Sequence, residues 1–513
     1  MGLANFFDKS ALAASRVLQG VSHASLAAAL DTHVVGLAFD DAAAFSPEGR
    51  LTLEMSANLL ARLYPRIALT PHGHSAEVLS PELASLMLNI NPELDISAEG
   101  ETVTVVLAAG DTSIESSAPV IYAGSDGWIA RVSSQRPVGS GSAANPFGAG
   151  AAACFAVANI FRLIFGAHLL NGKADDDIAL SLLDYDPHAA TPLNPAPTPV
   201  DIGESHIVGL GAIGNAAVWA LARAPELSGV LTLIDHETVE LTNLQRYVLT
   251  TQKDVHGSKV ALAARQFTGA SLAVRTHQGR WGDYLRTVGD WRLGRVSVGV
   301  DSDEDRRAIQ ASLPEWIVNA WTQEGDLGVS RHSFTGDGAC LMCLYYPDGT
   351  GKNLDQIIAE AIRLPDALME IRTLLYNGAP VGKSLLERAA AAMGVSSDVL
   401  LGFEGQSLHS FYTKAICGGM ILRLGGKVGD APHGAAEVPL AFQSALAGVM
   451  LATEIVAHAG DLRPVQLPVT TKIDLLRPLS SYLSVPAAKD PSIPCICRDE
   501  DFIRVYQQKY APQ

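Results

Sequence analysis

A chain of 513 residues is too long for a single hydrophobic core and predicts two to four domains. Hydrophobic residues make up 48% of the sequence and charged residues only 18%, so large cores can form and no long disordered tract is expected. The net charge of −17 argues against nucleic acid as a partner, because binding to phosphates requires a basic surface.

The first half of the chain contains a strongly apolar stretch, AAACFAVANIFRLIFGAHLL, which begins at Ala151. Asn159 and Arg162 interrupt this stretch, which predicts a buried helix and argues against a membrane span. The sequence has no basic segment followed by an apolar run and a small-residue cleavage site. Six cysteines in so long a chain are too few for a disulfide framework and are typical of metal or catalytic sites in a cytosolic protein. We therefore expect a cytoplasmic α/β protein.

Two internal similarities occur in the same order in the two halves of the sequence. THVVGLAFDDAAA, from Thr32, aligns with SHIVGLGAIGNAAV, from Ser205, and residues 145–161 align with residues 440–456. This predicts two copies of one fold, although chance similarity between alanine-rich helices is an alternative. Ala38 and Asp41 of the first copy stand opposite glycines of the second, and an aspartate there would repel phosphate. We therefore predict a degenerate first copy and a nucleotide-binding second copy.

A proline-rich segment, residues 187–200, separates the two copies and is predicted to be an extended linker. The second copy then reads as a strand, a glycine turn, a helix and another strand. Gly209, Gly211 and Gly214 fit the pattern G-x-G-x-x-G in that context. Asp235 closes the next strand, where a ribose hydroxyl would be held. By itself this pattern favours an NAD-dependent oxidoreductase.

The residues that follow Asp235 favour ATP instead. Asn243 and Arg246 lie in LTNLQRY, Lys259 precedes a helical run, and Asp301 follows an apolar strand. Cationic side chains suit a triphosphate and its pyrophosphate leaving group, and a carboxylate at a strand end suits Mg²⁺. Hydride transfer needs none of these groups. The alternative is that Arg246 and Lys259 are solvated surface charges.

The run GLGAIG, Asp235, LTNLQRY, Lys259 and Asp301 resembles the ThiF/MoeB family and the adenylation domains of ubiquitin-like-protein activating enzymes. The resemblance covers most of the chain from about residue 200 onward. It implies ATP-dependent adenylation of the C-terminal glycine of a ubiquitin-like or sulfur-carrier protein. It also implies that Asp235 binds ribose, that Asn243 and the candidate catalytic cations Arg246 and Lys259 contact phosphates, and that Asp301 holds Mg²⁺. With the repeat, it implies two Rossmann-like ThiF-type adenylation domains that form a pseudodimer within a monomeric chain.

Four cysteines occur in two close pairs, Cys340 with Cys343 and Cys495 with Cys497. Four thiolates suit tetrahedral Zn²⁺, and a shared ion would attach the C-terminal segment to the fold. Similar relatives carry two C-x-x-C pairs, from which the C-x-C spacing of the second pair departs. The alternative is that the four cysteines are small core residues.

Cys417 follows a predicted helical insertion and precedes two glycines, with Lys414 nearby. Activating enzymes that form thioesters carry a nucleophilic cysteine after the adenylation core, so the resemblance implies transfer of the activated protein to Cys417, although a buried structural thiol is an alternative. We therefore divide the chain into a degenerate domain (1–186), the linker, an active domain (201–352 and 418–513) and the helical insertion (353–417).

The predicted function is activation of a ubiquitin-like protein by ATP and its delivery, through a thioester and a conjugating enzyme, to protein conjugation. Asymmetry between the copies and the helical insertion favour this function over sulfur transfer, because simple sulfur-carrier enzymes are usually symmetric homodimers. A sulfur-carrier adenylyltransferase, a noncatalytic scaffold and an oxidoreductase are the alternatives.

Overall fold

The computed structural model describes residues 2–96, 102–289, 291–323, 325–347, 354–418, 420–424 and 438–511. The chain forms two compact units. We call them the sheet unit (Met1–Ala4, His33–Tyr346 and Ala441–Gln513) and the helical unit (Asn5–Thr32 and Pro347–Leu440). Each unit is therefore assembled from segments that are distant in sequence.

The sheet unit contains two β-sheets, one in each half of the sequence. The strands of the first sheet are β1 (Val35–Asp40), β2 (Ile67–His72), β3 (Val105–Ala109), β4 (Val120–Asp126), β5 (Ile129–Ser133) and β6 (Asp177–Ser181). The strands of the second sheet are β7 (Val200–Val208), β8 (Leu227–Asp235), β9 (Ala273–Gln278), β10 (Arg295–Val298), β11 (Trp316–Thr322), β12 (Leu327–His332), β13 (Thr470–Ile473) and β14 (Ser484–Val485).

The two sheets share one topology. The first has the order β2-β1-β3-β4-β5-β6, and the second has the order β8-β7-β10-β11-β12-β13, extended by β9 at one edge and β14 at the other. In each, the first four strands of that order run parallel and the next two run antiparallel. Parallel strands joined by helices are the Rossmann arrangement. The prediction of two Rossmann-like halves is confirmed.

Helices cover the sheets and form the helical unit. Those of the sheet unit are α3 (Asp41–Phe45), α4 (Pro47–Leu60), α5 (His74–Ile90), α6 (Pro146–Phe165), α7 (Ala212–Arg223), α8 (Lys259–Arg265), α9 (Trp281–Leu285), α10 (Asp303–Ala311), α11 (Leu341–Leu344), α18 (Ala441–Ala459) and α19 (Glu500–Lys509). Those of the helical unit are α1 (Phe7–Val17), α2 (His23–Thr32), α12 (Leu354–Ala361), α13 (Leu368–Asn377), α14 (Lys383–Met393), α15 (Ser397–Leu401), α16 (Leu408–Phe411), a π-helix (Tyr412–Cys417) and α17 (Met420–Arg423).

Four helices form the core between the two sheets. Helix α6 packs on β4 and β5, α18 packs on β11 and β12, and α4 and α7 complete the layer. A Cβ atom at Gly448 would lie 2.3 Å from the carbonyl oxygen of Ile213 in α7, and one at Gly150 would lie 2.8 Å from the ring of Trp219. Only glycine permits so close an approach of the helices. The aligned segments at residues 145 and 440 therefore begin equivalent helices.

The two most apolar helices are buried in this layer. The segments Pro146–His168 and Ala441–Ala459 are long and apolar enough to cross a membrane, but 89% and 94% of their most apolar windows are buried inside the protein. The stretch at Ala151 is thus a core helix, as its polar interruptions predicted.

The helical unit has its own hydrophobic core. Buried side chains from α12 to α17, among them Ile358, Leu386 and Phe411, pack together, and α1 and α2 contact α17. The predicted first domain began at residue 1, whereas residues 5–32 belong to this unit. The predicted insertion, 353–417, lies within its larger segment, Pro347–Leu440.

Candidate functional site

The glycine loop joins β7 to α7. Gly209 has φ of +89°, and a Cβ atom there would lie 2.8 Å from the carbonyl oxygen of Gly299. A Cβ atom at Gly214 would lie 2.1 Å from the carbonyl oxygen of Gly209. Gly211 is the N-cap of α7, where an added Cβ would meet only the hydroxyl of Tyr247, at 3.6 Å. The loop therefore packs closely against the residue that follows β10 and leaves the amino end of α7 open beside Tyr247.

Asp235 ends β8 beside the glycine loop and is 8% exposed. One carboxylate oxygen accepts a hydrogen bond from the Leu210 amide (2.7 Å), and the other accepts one from the Glu237 amide (2.8 Å). The carboxylate therefore fixes the glycine turn onto the second strand. Each oxygen retains acceptor capacity for a further donor, as a ribose hydroxyl would supply.

The segment LTNLQRY forms a 3₁₀ helix, Leu241–Gln245, and the residues that follow it. The side-chain oxygen of Asn243 accepts a hydrogen bond from the Glu240 amide (2.9 Å), which caps this helix. Arg246 follows directly, with its guanidinium 5.7 Å from the ring centroid of Tyr247 and a hydrogen bond to Gln245 (3.3 Å). In the structure Asn243 thus has a capping role, and Arg246 lies beside the aromatic residue that faces Gly211.

Lys259 is the buried cation of the site. It is the first residue of α8 and 4% exposed, and its Nζ contacts Glu237 Oε2 at 2.5 Å and the Tyr247 hydroxyl at 3.1 Å. Burial alone would lower the pKa of Lys259, but Tyr247, Asp235 and Glu237 raise it above its ordinary value. The lysine is therefore charged at neutral pH, and the half-exposed carboxylate of Glu237 neutralises it.

Gly211, Tyr247, Lys259 and Glu237 form one contiguous cluster next to Asp235. An open helix amino end, a buried lysine and a neighbouring arginine are the donors that a nucleotide triphosphate requires. These residues fit ATP. No sequence pattern assigned a role to Tyr247 or Glu237, although Tyr247 ends LTNLQRY and Glu237 follows Asp235 by two residues.

Asp301 lies beyond β10, at the edge of the sheet that contacts the glycine loop. Its side chain is exposed, and its carbonyl oxygen accepts a hydrogen bond from Arg306 (3.4 Å). Arg306 also pairs with Asp303 (2.9 Å). An exposed carboxylate at this edge is the kind of ligand that Mg²⁺ takes together with phosphate oxygens. The donor set therefore fits a magnesium-bound nucleotide.

The four paired cysteines meet in one cluster in the sheet unit. All four Sγ atoms lie within 4.8 Å of one another, with distances of 3.6 Å from Cys340 to Cys343, 3.5 Å from Cys340 to Cys495 and 3.5 Å from Cys343 to Cys497. Ligands at the usual Zn–S distance in a tetrahedron are separated by about 3.8 Å. The cluster therefore has the dimensions of a Cys₄ zinc site, and the C-x-C pair reaches them despite its shorter spacing in sequence.

In the first half, the junction between strand and helix is filled by the protein's own carboxylates. Asp40 accepts hydrogen bonds from the amides of Ala43 (3.0 Å) and Thr112 (2.7 Å), and Asp41 accepts one from the amide of Ala76 (3.0 Å). The turn is made at Asp40 and Asp41. The sequence alignment placed Ala38 and Asp41 opposite the glycines of the second half, and of these Asp41 lies at the turn and Ala38 does not. Ala38 lies inside β1, because without the glycines of the second half the strand continues to Asp40.

The remaining cysteines differ in their surroundings. Cys154 in α6 is fully buried, and burial raises the pKa of its thiol far above the ordinary value. Cys417 is the last residue of the π-helix Tyr412–Cys417, and its side chain lies outside the described residues. Within α-helices, π-helical turns occur frequently at functional sites.

Comparison with known proteins gives a different family match for each half of the chain. A model of the ThiF family matches residues 201–495, and a model of the prokaryotic E2 family C matches residues 38–166. The chain is 46% identical over 512 residues to the uncharacterized protein y4jF of Sinorhizobium fredii. The alignment covers 99% of this chain and 98% of that protein. No motif singled out in the sequence anticipated the E2 match.

Solved structures of MccB from E. coli are similar at 16% identity. The structures with MccA-N7isoASN and with ATP have TM-scores of 0.35 and 0.34, and each match covers 57% of this chain and 66% of the MccB chain, which is just under two thirds. The ThiF match includes the glycine loop, Asp235, Lys259 and Asp301 and extends over more than half of the sequence. The chain belongs to the ThiF family.

Proposed function

We propose that the chain activates a ubiquitin-like protein by adenylating its C-terminal glycine and then carries that protein as a thioester on Cys417. The observation that carries the adenylation step is the cluster of Gly211, Tyr247 and Lys259 beside Asp235, within the region that matches the ThiF family. We further propose that ATP and Mg²⁺ bind at this cluster and that Zn²⁺ binds the four paired cysteines.

In the adenylation step, a carboxylate oxygen of the substrate's terminal glycine attacks the α-phosphorus of ATP. The bond from that phosphorus to the bridging oxygen breaks, and pyrophosphate leaves with the electron pair. Lys259 and Arg246 stabilise the negative charge that develops on the leaving group, and the free amides of α7 hold a phosphate. Asp235 orients the ribose. Mg²⁺, held by Asp301, would neutralise phosphate charge.

Glu237 gives Lys259 a partner when no nucleotide is bound. A buried lysine without a counter-charge would tend to lose its proton, and Tyr247, Asp235 and Glu237 together oppose this by raising the pKa of Lys259. Because Glu237 is half-exposed, its carboxylate can turn toward solvent when a phosphate oxygen replaces it. The lysine then keeps its charge in both states.

In the second step, the Cys417 thiolate attacks the acyl carbon of the adenylate and AMP leaves, while the thiol proton passes to solvent. The match of residues 38–166 to the E2 family supports a role in conjugation. The sole cysteine in that range is Cys154, which is fully buried, so a thioester would be carried elsewhere in the chain or on a separate conjugating enzyme. We also propose a cytoplasmic location, because four cysteines that bind Zn²⁺ as thiolates require a reducing compartment.

Isotope exchange between ATP and pyrophosphate tests the proposal. Exchange is expected with a ubiquitin-like protein that ends in glycine and not with the same protein lacking that residue. Asp301→Ala should reduce exchange by at least about 100-fold, because the phosphates lose their cation ligand. The control Asp305→Ala removes another carboxylate, one residing within α10, and should leave exchange unchanged.

Three other results would each contradict the proposal in a different way. Failure of the wild-type chain to bind Mg–ATP would contradict adenylation. Binding of NADH in place of ATP would indicate an oxidoreductase. Exchange without any thioester on wild-type protein would favour a sulfur-carrier adenylyltransferase.

A further inference from the structure

Two buried polar residues of the first half reach the ATP-binding segment of the second half. Arg62 follows the end of α4 and is 1% exposed, and Asn58 in α4 is 4% exposed. Arg62 donates hydrogen bonds to the carbonyl oxygens of Leu244 and Thr250 (3.0 Å for Thr250), and Asn58 donates one to that of Val248 (2.7 Å). Arg62 Nε also donates to Asn58 Oδ1 (3.0 Å), so the two side chains act as one unit.

These carbonyl groups flank the residues that face the nucleotide. The segment from Leu244 to Thr250, which we call the clamped segment, contains Arg246 and Tyr247. The Tyr247 hydroxyl contacts Lys259 Nζ, and the Leu249 amide donates to Asn215 Oδ1 in α7 (2.7 Å). The clamped segment is therefore held by the second half at its amide and hydroxyl groups and by the first half at its carbonyl groups.

The guanidinium group of Arg62 suits this contact better than any other side chain would. A guanidinium group is planar and presents its N–H groups in a fixed fork, so it can bind two carbonyl oxygens at a set separation. Complete burial of such a group is costly unless its N–H groups are paired. Burial lowers the pKa of Arg62 to about 9, which still leaves it charged at neutral pH.

We propose that Arg62, with Asn58, is a positioning residue for ATP, through which the first half of the chain orients Tyr247 and Arg246 toward the triphosphate. This role rests on the proposed function. It assigns a task to a half whose own strand–helix junction is filled by Asp40 and Asp41. The first half contributes to nucleotide binding without touching the nucleotide.

The experiment compares Arg62→Met with Arg223→Met in the full-length protein. Arg223 ends α7 and also crosses between the halves, but it pairs with Glu54 of α4 (2.5 Å) and does not contact the clamped segment. Affinity for Mg–ATP alone is measured by calorimetry, and hydrogen exchange is measured over the clamped segment. We expect Arg62→Met to weaken ATP binding by about tenfold and to speed exchange there, with Arg223→Met within about twofold of wild type.

Two further variants keep the test decisive. Arg62→Lys keeps the charge without the fork and should give an intermediate affinity. Asn58→Leu removes the bond to Val248 and should weaken ATP binding by about threefold even if Arg62→Met does not fold. Unchanged ATP affinity in Arg62→Met or Asn58→Leu, or an equal loss in Arg223→Met, would overturn the positioning role alone. A wild-type chain that binds no Mg–ATP would overturn the proposed function, and this role with it.

Discussion

The two halves of the sheet unit share a strand order and differ at one junction. In the second half, glycines end β7 early and leave the amino end of α7 open beside Lys259 and Tyr247. In the first half, β1 continues to Asp40, and Asp40 and Asp41 accept the hydrogen bonds of the nearby amides. A ligand anion and a side-chain carboxylate have the same chemistry toward these amides. The same strand order is therefore compatible with either junction, and we expect nucleotide binding only at the open one.

The helices between the sheets are alike in packing and differ in their charged partners. Helices α6 and α18 begin at aligned residues and are both buried, and glycines permit close packing in each. Their polar networks differ, since Asn159 of α6 bonds to Asp175, whereas Glu454 at the aligned position of α18 pairs with Arg331 and Arg463. The two helices therefore pack alike where the halves meet, and the charged groups around them differ.

The largest expected effect is the loss of a thioester adduct when Cys417, but not Cys154, is replaced. With ATP, Mg²⁺ and the partner protein, wild-type chain should form an adduct that thiol reagents cleave, and Cys417→Ala should lose it completely while pyrophosphate exchange continues, because adenylation precedes thiol attack. Cys154→Ala is the control and should keep the adduct, since Cys154 is buried in the first half. Gel mobility under non-reducing conditions measures both. An adduct that survives in Cys417→Ala and vanishes in Cys154→Ala would reverse the assignment.

Acid should destabilise the Glu454 network of the second half. Burial would raise the pKa of Glu454, but Arg331 and Arg463 lower it to about 2. A lowered carboxylate pKa stabilises the fold above about pH 4.5, by about 3 kcal/mol, and this contribution is lost as the pH falls from 4.5 to 2. Glu454→Gln should therefore flatten the dependence of unfolding free energy on pH over that window, as measured by denaturant titration.

The matched control for Glu454 is an exposed carboxylate of the first half. Glu82 pairs with Arg50 at the surface, so Glu82→Gln should leave the pH dependence unchanged. If Glu454→Gln and wild type lose the same free energy of unfolding between pH 4.5 and 2, other carboxylates must account for the acid sensitivity.

The aligned glycines Gly36 and Gly209 give the smallest and most specific contrast. A Cβ atom at Gly209 would meet a backbone oxygen at 2.8 Å in a left-handed conformation, whereas one at Gly36 would meet only valine side chains, at 3.1 Å. Gly209→Ala should weaken Mg–ATP binding by about tenfold, because the loop must shift from the phosphates, and Gly36→Ala should have no effect. Equal losses of affinity in calorimetry would indicate that both halves bind nucleotide.

Local patterns predicted the parts of the site that lie close together in sequence. The glycine loop, Asp235 and the cysteine pairs could be recognised because each is a short local pattern that a tight turn or a metal site typically requires. The grouping of Asn5–Thr32 with the helical unit could not be recognised from the sequence, because it depends on packing between segments more than 300 residues apart. The contacts of Arg62 were equally invisible, since a lone arginine after a helix has no pattern that names its distant carbonyl partners.

The repeated strand order has a consequence for how such a chain can change. When two identical chains associate, every substitution appears twice, so a carboxylate that fills one nucleotide site fills both and the activity is lost. Once the two copies are joined in one gene, Asp40 and Asp41 can occupy their junction while Gly209 and Gly211 keep theirs open. A chain that contains both junctions can therefore close one without closing the other, and the closed half can still support its neighbour through Arg62 and Asn58.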